Sequence, residues 1–299
     1  MISNKPVFVL VHGGWHDHST WRHVTPIIES NGFTALTLDL PGAGARAIEP
    51  ASLGRHPFDS SAFAIEPSPV AGITQAERTK AVVALVEKAA ALGNGKVVLV
   101  GHSAGGVTVS AVAQEVPGLL HAVVYLSGFL MPPGQSLLAM LMHESMSEAV
   151  APRLFVGDPA TIGATRIHAG SNDKAYLSLL RASFYADVPE TDFMYTAARL
   201  HCDEPNGGAM APSVMTSDRF GTVPRHYIRC TQDCAVPLAA QDRMVGLVDA
   251  AMGNRTIIHT LETSHSPFLS QPLALAAVIV ALAQADGGSS TTQSQPSMT

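Results

Sequence analysis

One serine in this chain stands where chemistry is easy to build. Ser103 lies in Gly101-His102-Ser103-Ala104-Gly105, after the apolar run Val97 to Val100 and before a helical pattern that reaches Glu115 and Val116 ahead of Pro117. That spacing makes a buried strand turn abruptly into a helix, with the serine in a strained conformation and small residues where strand and helix pass close together. The turn lifts Ser103 Oγ out of the sheet and aims the Ala104 N–H and the helix N-terminus at negative charge developing beside it. Glycine and serine are common, however, and an ordinary strand-to-helix turn carries the same pentamer. The base and the acid that a serine nucleophile needs must be found elsewhere in the chain.

Open α/β sheets gather ligands at the C-terminal ends of their strands, so the loops after later strands are the places to look. With the serine first, the expected chain order is serine, acid, histidine. After the strand-like Tyr227 to Cys230 comes Thr231-Gln232-Asp233-Cys234-Ala235-Val236-Pro237, which makes Asp233 the candidate acid. The earlier strand, Ala122 to Leu126, runs into Ser127-Gly128 and offers no acid. After Thr256 to Leu261 comes Glu262-Thr263-Ser264-His265-Ser266, which makes His265 the candidate base, while His259 falls inside the strand and reads as structural. A developing oxyanion wants two converging N–H donors. Ala104 supplies one, and the turn His12-Gly13-Gly14-Trp15 after the first strand supplies the other, assigned to Gly14, with His12 bracing the loop.

The elements that must position these groups alternate. Strands are expected over Pro6 to Val11, Thr34 to Leu38, Val97 to Val100, Ala122 to Leu126, Pro224 to Cys230 and Thr256 to Leu261. Helices are expected over Arg22 to Asn31, Thr74 to Ala91, Ala104 to Val116, Leu238 to Ala251 and about Pro272 to Ala285. This alternation predicts an α/β fold, a mostly parallel central sheet with helices on both faces. Two stretches interrupt it. Ala45 to Gly72, with Pro50, Pro57, Pro67 and Pro69 and no periodicity, reads as a long loop. From Phe129 to Pro212 the strand rhythm is lost, and short helices over Ser136 to Met146, Asp173 to Tyr185 and Glu190 to Leu200 are expected to form an inserted helical cap. The organisation is then core over 1–128, cap over 129–212, core again over 213–286, and a disordered tail over 287–299. Met131 and Met140 are candidates for an adaptable apolar pocket beneath the cap, with helix packing as the plainer alternative.

With 299 residues and 46% hydrophobic content, the chain has enough apolar side chains for a large core. A net charge of −6 with only 18 scattered Lys and Arg argues against nucleic acid or an anionic membrane as partner. Cys202, Cys230 and Cys234 form an odd set without a disulfide framework, as in a reducing compartment. The first strand starts too early to leave room for a secretory signal, and the longest apolar run, Leu273 to Ala283, falls short of the ~18 residues a span requires. The expectation is a cytoplasmic protein, monomer or homodimer, acting on a small molecule.

Taken together, VLVHGGW with Trp21 downstream, LDLPGAG, VLVGHSAGG, FGTVPRHYIRCTQD and ETSHSPFL resemble the α/β-hydrolase fold. Within it they resemble the branch that holds plant methylesterases, hydroxynitrile lyases and bacterial carboxylesterases of the pyrethroid-hydrolase kind. The resemblance runs over about residues 6 to 285, with five motifs in order. It implies Ser103, Asp233 and His265 as a catalytic triad, Gly14 and Ala104 as oxyanion donors, and neither cofactor nor metal. His16 matches a histidine that commonly follows the HG turn in this branch, and with Trp15 it is expected to contact substrate. The lyases carry threonine at the position of Gly13 and lysine at that of Ser266, so ester hydrolysis is expected here rather than lyase chemistry. The excursion from Ala45 to Gly72 is longer than the branch leads one to expect.

A metal hydrolase is the first rival, because His16-Asp17-His18 looks ligand-like, but no second histidine pair completes the three or four ligands of a mononuclear site. Dehalogenases and epoxide hydrolases put a carboxylate where this chain has Ser103. The expectation is a serine carboxylesterase working on a hydrophobic ester through an acyl-enzyme. The alternatives are a lactonase using the same triad and a ligand-binding receptor with little turnover.

Overall fold

Alternation in the first strand sets up the whole sheet. In β1 (Val7–Val11) Phe8 and Leu10 enter one apolar layer, Val7, Val9 and Val11 enter the other, and all five are fully buried. A strand apolar on both faces needs helices on both sides of it. The computed structural model describes residues 4–284. From β1 the chain passes through a 3₁₀ turn at His18–Trp21 to α1 (Thr25–Ser30) and β2 (Ala35–Thr37). Next come α2 (Ser60–Ile65), α3 (Gln75–Leu92), β3 (Val97–His102), α4 (Gly105–Glu115) and β4 (Leu120–Leu126). An inserted segment holds α5 (Leu137–Leu141), α6 (Pro159–Ile162), β5 (Ala164–Arg166), α7 (Lys174–Phe184), α8 (Glu190–Ala197), β6 (Asp203–Pro205) and α9 (Asn206–Met210). The chain then completes the core with β7 (Arg225–Cys230), α10 (Leu238–Met252), β8 (Ile257–Leu261), α11 (Pro267–Ser270) and α12 (Pro272–Gln284).

Among the described residues the main sheet has six strands, all parallel, in the order β2-β1-β3-β4-β7-β8. Trp21, Ile28, Leu275 and Ile279 fill the layer on the Phe8 side, and Val82, Val86, Val109, Val112, Met244 and Val248 fill the other. The register matches Val11 to Gly101, His102 to Leu126, Leu126 to Ile228 and Cys230 to Leu261. The loops after β1, β3, β4, β7 and β8 therefore leave the sheet along one edge, which is what brings distant parts of the chain together.

Three expectations need correction. The helix expected from Arg22 starts at Thr25, because Pro26 is tolerated only in a first turn; the residues before it form a 3₁₀ turn capped by Asp17, whose carboxylate accepts the Ser19 N–H at 2.8 Å. The Ala45 to Gly72 stretch is not structureless. It contains α2, capped by Asp59 on the N–H groups of Ser61 and Ala62, each at 3.0 Å. Arg166 fastens it by donating from Nη1 to the carbonyls of Phe63 and, at 2.9 Å, Glu66. Nor is the inserted segment purely helical, since β5 and β6 pair antiparallel with Thr165 opposite Glu204 and Arg166 opposite Asp203. Three residues per strand are too few to register as a period of two in the sequence. The expected tail over 287–299 and the end of the last helix at Ala285 lie outside the described residues. No helix among the described residues is long and apolar enough to cross a membrane.

Candidate active site

Between β3 and α4, Ser103 takes φ +51, a left-handed conformation that costs an L-residue about 1–2 kcal/mol. Its own backbone holds it there: the N–H donates to Leu126 O at 3.2 Å, and the carbonyl accepts from Gly106 N–H at 3.0 Å and Phe129 N–H at 2.9 Å. A Cβ at Gly105 would stand 2.5 Å from the His12 carbonyl, so the tight passage of α4 over the β1 loop requires glycine.

His265 and Asp233 meet from the loops after β8 and β7. His265 Nδ1 lies 2.7 Å from Asp233 Oδ2, with both side chains buried. The same carboxylate accepts the Ser127 hydroxyl on Oδ2 and the N–H groups of Ala235 and Val236 on Oδ1, at 2.7 and 2.8 Å. An ionised carboxylate only accepts, so the proton of this contact sits on Nδ1 and leaves Nε2 as the basic nitrogen. His102, which directly precedes Ser103, donates from Nε2 to the His265 carbonyl at 3.0 Å, with the two rings 4.5 Å apart. Burial pulls the His102 pKa well down, so this link is a neutral one.

The β1 loop is fixed peptide by peptide. Leu40 N–H donates to His12 Nε2 at 3.1 Å, which leaves His12 Nδ1–H to donate to Gly13 O at 2.8 Å. His16 Nδ1–H donates to Gly14 O at 2.6 Å, and its Nε2 accepts the Tyr185 hydroxyl at 2.6 Å. Burial lowers both imidazoles to about 4, so near neutral pH they hold the uncharged form these roles require. In a trans peptide the N–H points opposite the preceding carbonyl. Pinning Gly13 O thus aims the Gly14 N–H, and pinning Gly14 O aims the Trp15 N–H, which donates to Glu204 Oε2 at 3.3 Å. Trp15, at φ +61, is held further by His201 N–H on its carbonyl at 2.9 Å and by its indole N–H on Thr165 O at 2.9 Å. A Cβ at Gly13 would stand 2.8 Å from Ser103 Cβ, so loop and serine turn are in direct contact.

Gly14, Trp15, Ser103 and Ala104 line one cavity. Val107, Phe129, Leu141, Phe155, Phe184 and Val236 give it apolar walls, and Gln75, Arg78 and Glu204 give it one polar end. There Arg78 Nη1 donates to Glu204 Oε1, which neutralises both charges against each other. Of the other candidates, His16 lies under the loop with both nitrogens occupied and is a brace, not a wall of the cavity. Met131 lines a neighbouring cavity beyond Val107 and Gln75, and Met140 is buried in the same apolar layer as Val9 and Val11. His18 turns away from His16 to Asp39, with Nδ1 and Oδ1 2.7 Å apart. Sequence reasoning missed Ser127, Tyr185 and Glu204, whose partners are all remote in the chain. His102 was visible in the serine pentamer, but its role depends on a carbonyl 163 residues away.

Residues 8–278 match the profile of the Alpha/beta hydrolase family. The chain is similar to putative methylesterase 11, chloroplastic, of Arabidopsis thaliana, at 24% identity over 278 residues, covering 93% of this chain and 64% of that protein. It is also similar to the pyrethroid hydrolase of Sphingobium wenxiniae, at 23% identity over 283 residues, covering 93% of this chain and 87% of that one. The chain spans 64%, 56% and 56% of the length of three Arabidopsis methylesterases it matches. Among solved structures, a pyrethroid hydrolase from Sphingobium faniae superposes with a TM-score of 0.71 at 22% identity, over 94% of this chain and 98% of that one. That likeness shows a shared fold.

Proposed function

We propose, from the premise that this chain belongs to the alpha/beta hydrolase family, that it is a serine carboxylesterase for neutral, largely hydrophobic esters. The observation that carries the reading is the meeting of two parts of the chain. Ser103 opens into an apolar cavity on a strained turn, and the bonded His265–Asp233 pair is tied to that turn through His102. Similarity to a methylesterase and to a pyrethroid hydrolase supports ester chemistry.

In this reading Ser103 Oγ attacks the ester carbonyl while His265 Nε2 takes its proton. The N–H groups of Gly14 and Ala104 receive the oxyanion, and removal of one such donor typically costs on the order of 10²- to 10³-fold in turnover. The imidazolium, held by Asp233, returns the proton to the departing alcohol. Water then attacks the acyl-enzyme by the same route and frees the acid. The apolar walls and the self-neutralised Arg78–Glu204 pair favour uncharged substrates. Gly13 against Ser103 leaves no space for the threonine of a lyase unless the turn shifts. Lactones open by the same steps and belong among the substrates to be assayed.

The test is a panel of p-nitrophenyl, methyl, aryl, pyrethroid-like and lactone esters, assayed with wild type, S103A and H265A. Both variants are expected to lose about 10⁴-fold or more in kcat. Hydrolysis that survives in S103A, or that a chelator abolishes in the wild type, would overturn the reading.

A further inference from the structure

The last residue of α7 and the segment that follows it reach both halves of this site. Phe184 packs its ring 5.8 Å from that of His265 and 5.9 Å from that of Trp15. Tyr185, fully buried, donates its hydroxyl to His16 Nε2 at 2.6 Å, and His16 in turn donates to Gly14 O at 2.6 Å. Two residues on, Asp187 accepts the Thr263 hydroxyl at 2.6 Å, the Ser264 N–H at 3.1 Å and the Ser264 hydroxyl. Thr263 and Ser264 are the two residues immediately before His265. Although burial pushes the Asp187 carboxyl up, these hydrogen bonds outweigh it and hold the group below the usual carboxylate range. Two hydroxyls and an amide thus converge on one carboxylate from another part of the chain.

We infer that Tyr185 and Asp187 are positioning residues through which the inserted segment sets the donor loop and the base loop together. Tyr185 acts on the Gly14 peptide through His16, and Asp187 acts on His265 through Thr263 and Ser264. Neither touches the reacting atoms. The Gly13–Gly14 peptide, which carries the Gly14 N–H, is held by His12, and the next peptide, which His16 pins through Gly14 O, anchors it on its far side, where Trp15 at φ +61 is a conformation that persists only when its surroundings over-determine it. Removing the phenolic hydroxyl leaves the His16 ring packed but unpinned on one side. Removing the carboxylate frees the backbone that aims the His265 ring. The inference rests on the serine-esterase reading of the site.

The experiment compares Y185F, D187A, D187N and the control Y176F in the full chain. It reads kcat, KM, thermal midpoint and affinity for a trifluoromethyl ketone, which Ser103 would convert to a tetrahedral adduct with its oxygen at the donor pair. Tyr176 lies in α7, two turns and more ahead of Tyr185, and its hydroxyl bridges two backbone groups, donating to Leu154 O at 2.9 Å and accepting from His168 N–H at 2.8 Å, but it reaches neither loop. Y185F is expected to lower kcat on the order of tenfold, with KM within about twofold and ketone affinity reduced by a similar factor. D187A is expected to lower kcat at least as much. D187N, which keeps an acceptor oxygen, should lose less and covers the case in which D187A fails to fold. Y176F should keep kcat near the wild-type value. If Y185F and both Asp187 variants keep wild-type kcat, or lose no more than Y176F, or change only KM, the positioning inference is overturned. If S103A itself still hydrolyses esters, the underlying reading fails instead, so the two failures are distinguishable.

Discussion

Arg166–Asp203 and Asp233–His265 are both carboxylate pairs buried to within 1% exposure, and they differ in what is left over. Arg166 uses every nitrogen: Nε and Nη2 go to the two oxygens of Asp203 at 2.7 Å each, and Nη1 goes to the carbonyls of Phe63 and Glu66. That network is closed. It ties the β5–β6 ribbon to the excursion before α3 and has no proton to exchange, since a guanidinium stays charged. Asp233 is equally saturated, by Ser127, Ala235, Val236 and His265, but its partner is an imidazole with a second nitrogen. A saturated acid holding a half-committed base is poised for proton transfer, whereas a saturated acid holding a fully committed cation is a fastening.

The comparison can be broken from either side. The largest expected effect is on chemistry. In D233N an amide N–H would face His265 Nδ1 and force the wrong tautomer, so kcat should fall about 10⁴-fold while the thermal midpoint moves little. A large loss of stability with modest loss of kcat would put this pair in the same class as the other. Next comes R166M, which strands Asp203 as an unpaired buried charge and should cost about 3–5 kcal/mol in urea unfolding. R166M combined with D203L should recover much of that loss. If it does not, the pair stabilises beyond the cost of breaking it.

Acid should unfasten the loop after β1 through its histidines. The folded pKa values of His12 and His16, about 4, lie below the ordinary 6.5, so the unfolded chain binds protons that the folded one refuses. Their contribution to stability is complete above about pH 6.5 and is lost as pH falls toward 4, by about 2 kcal/mol per imidazole between pH 7 and 5. Urea midpoints at the two pH values measure it, and a flat profile would mean that these rings are not held neutral in the fold. The smallest effect belongs to a helix cap that takes part in neither pair. Thr74 caps α3 in a reciprocal box with Glu77, accepting the Glu77 N–H at 3.2 Å while the Glu77 carboxylate accepts the Thr74 N–H at 2.8 Å. T74A should cost about 1 kcal/mol and leave kcat unchanged.

Much of the core was legible because it is local. Apolar β-branched runs marked β1, β3 and β4, and a glycine pentamer marked the turn at Ser103, since strand propensity and tight turns depend on neighbours in the chain. The order of serine, Asp233 and His265 could be read because each follows a recognisable strand. What escaped is non-local. The excursion read as a loop because its fastener, Arg166, lies 100 residues or more away. The β5–β6 ribbon was too short to signal itself. His16 read as a substrate contact, although its two partners occupy both nitrogens and place it beneath the loop.

The sequence by itself determined the parallel sheet, the strained serine turn and the identity of the acid and base candidates, because periodicity and loop position after a strand are written in consecutive residues. Only the tertiary structure decided which histidines are braces, which side chains wall the cavity, and that Tyr185 and Asp187 reach opposite sides of the site from one short segment. Those facts depend on which buried donor meets which acceptor. Burial makes an unpaired polar group costly, and the partner that satisfies it is chosen by packing across the fold and not by neighbourhood in the chain.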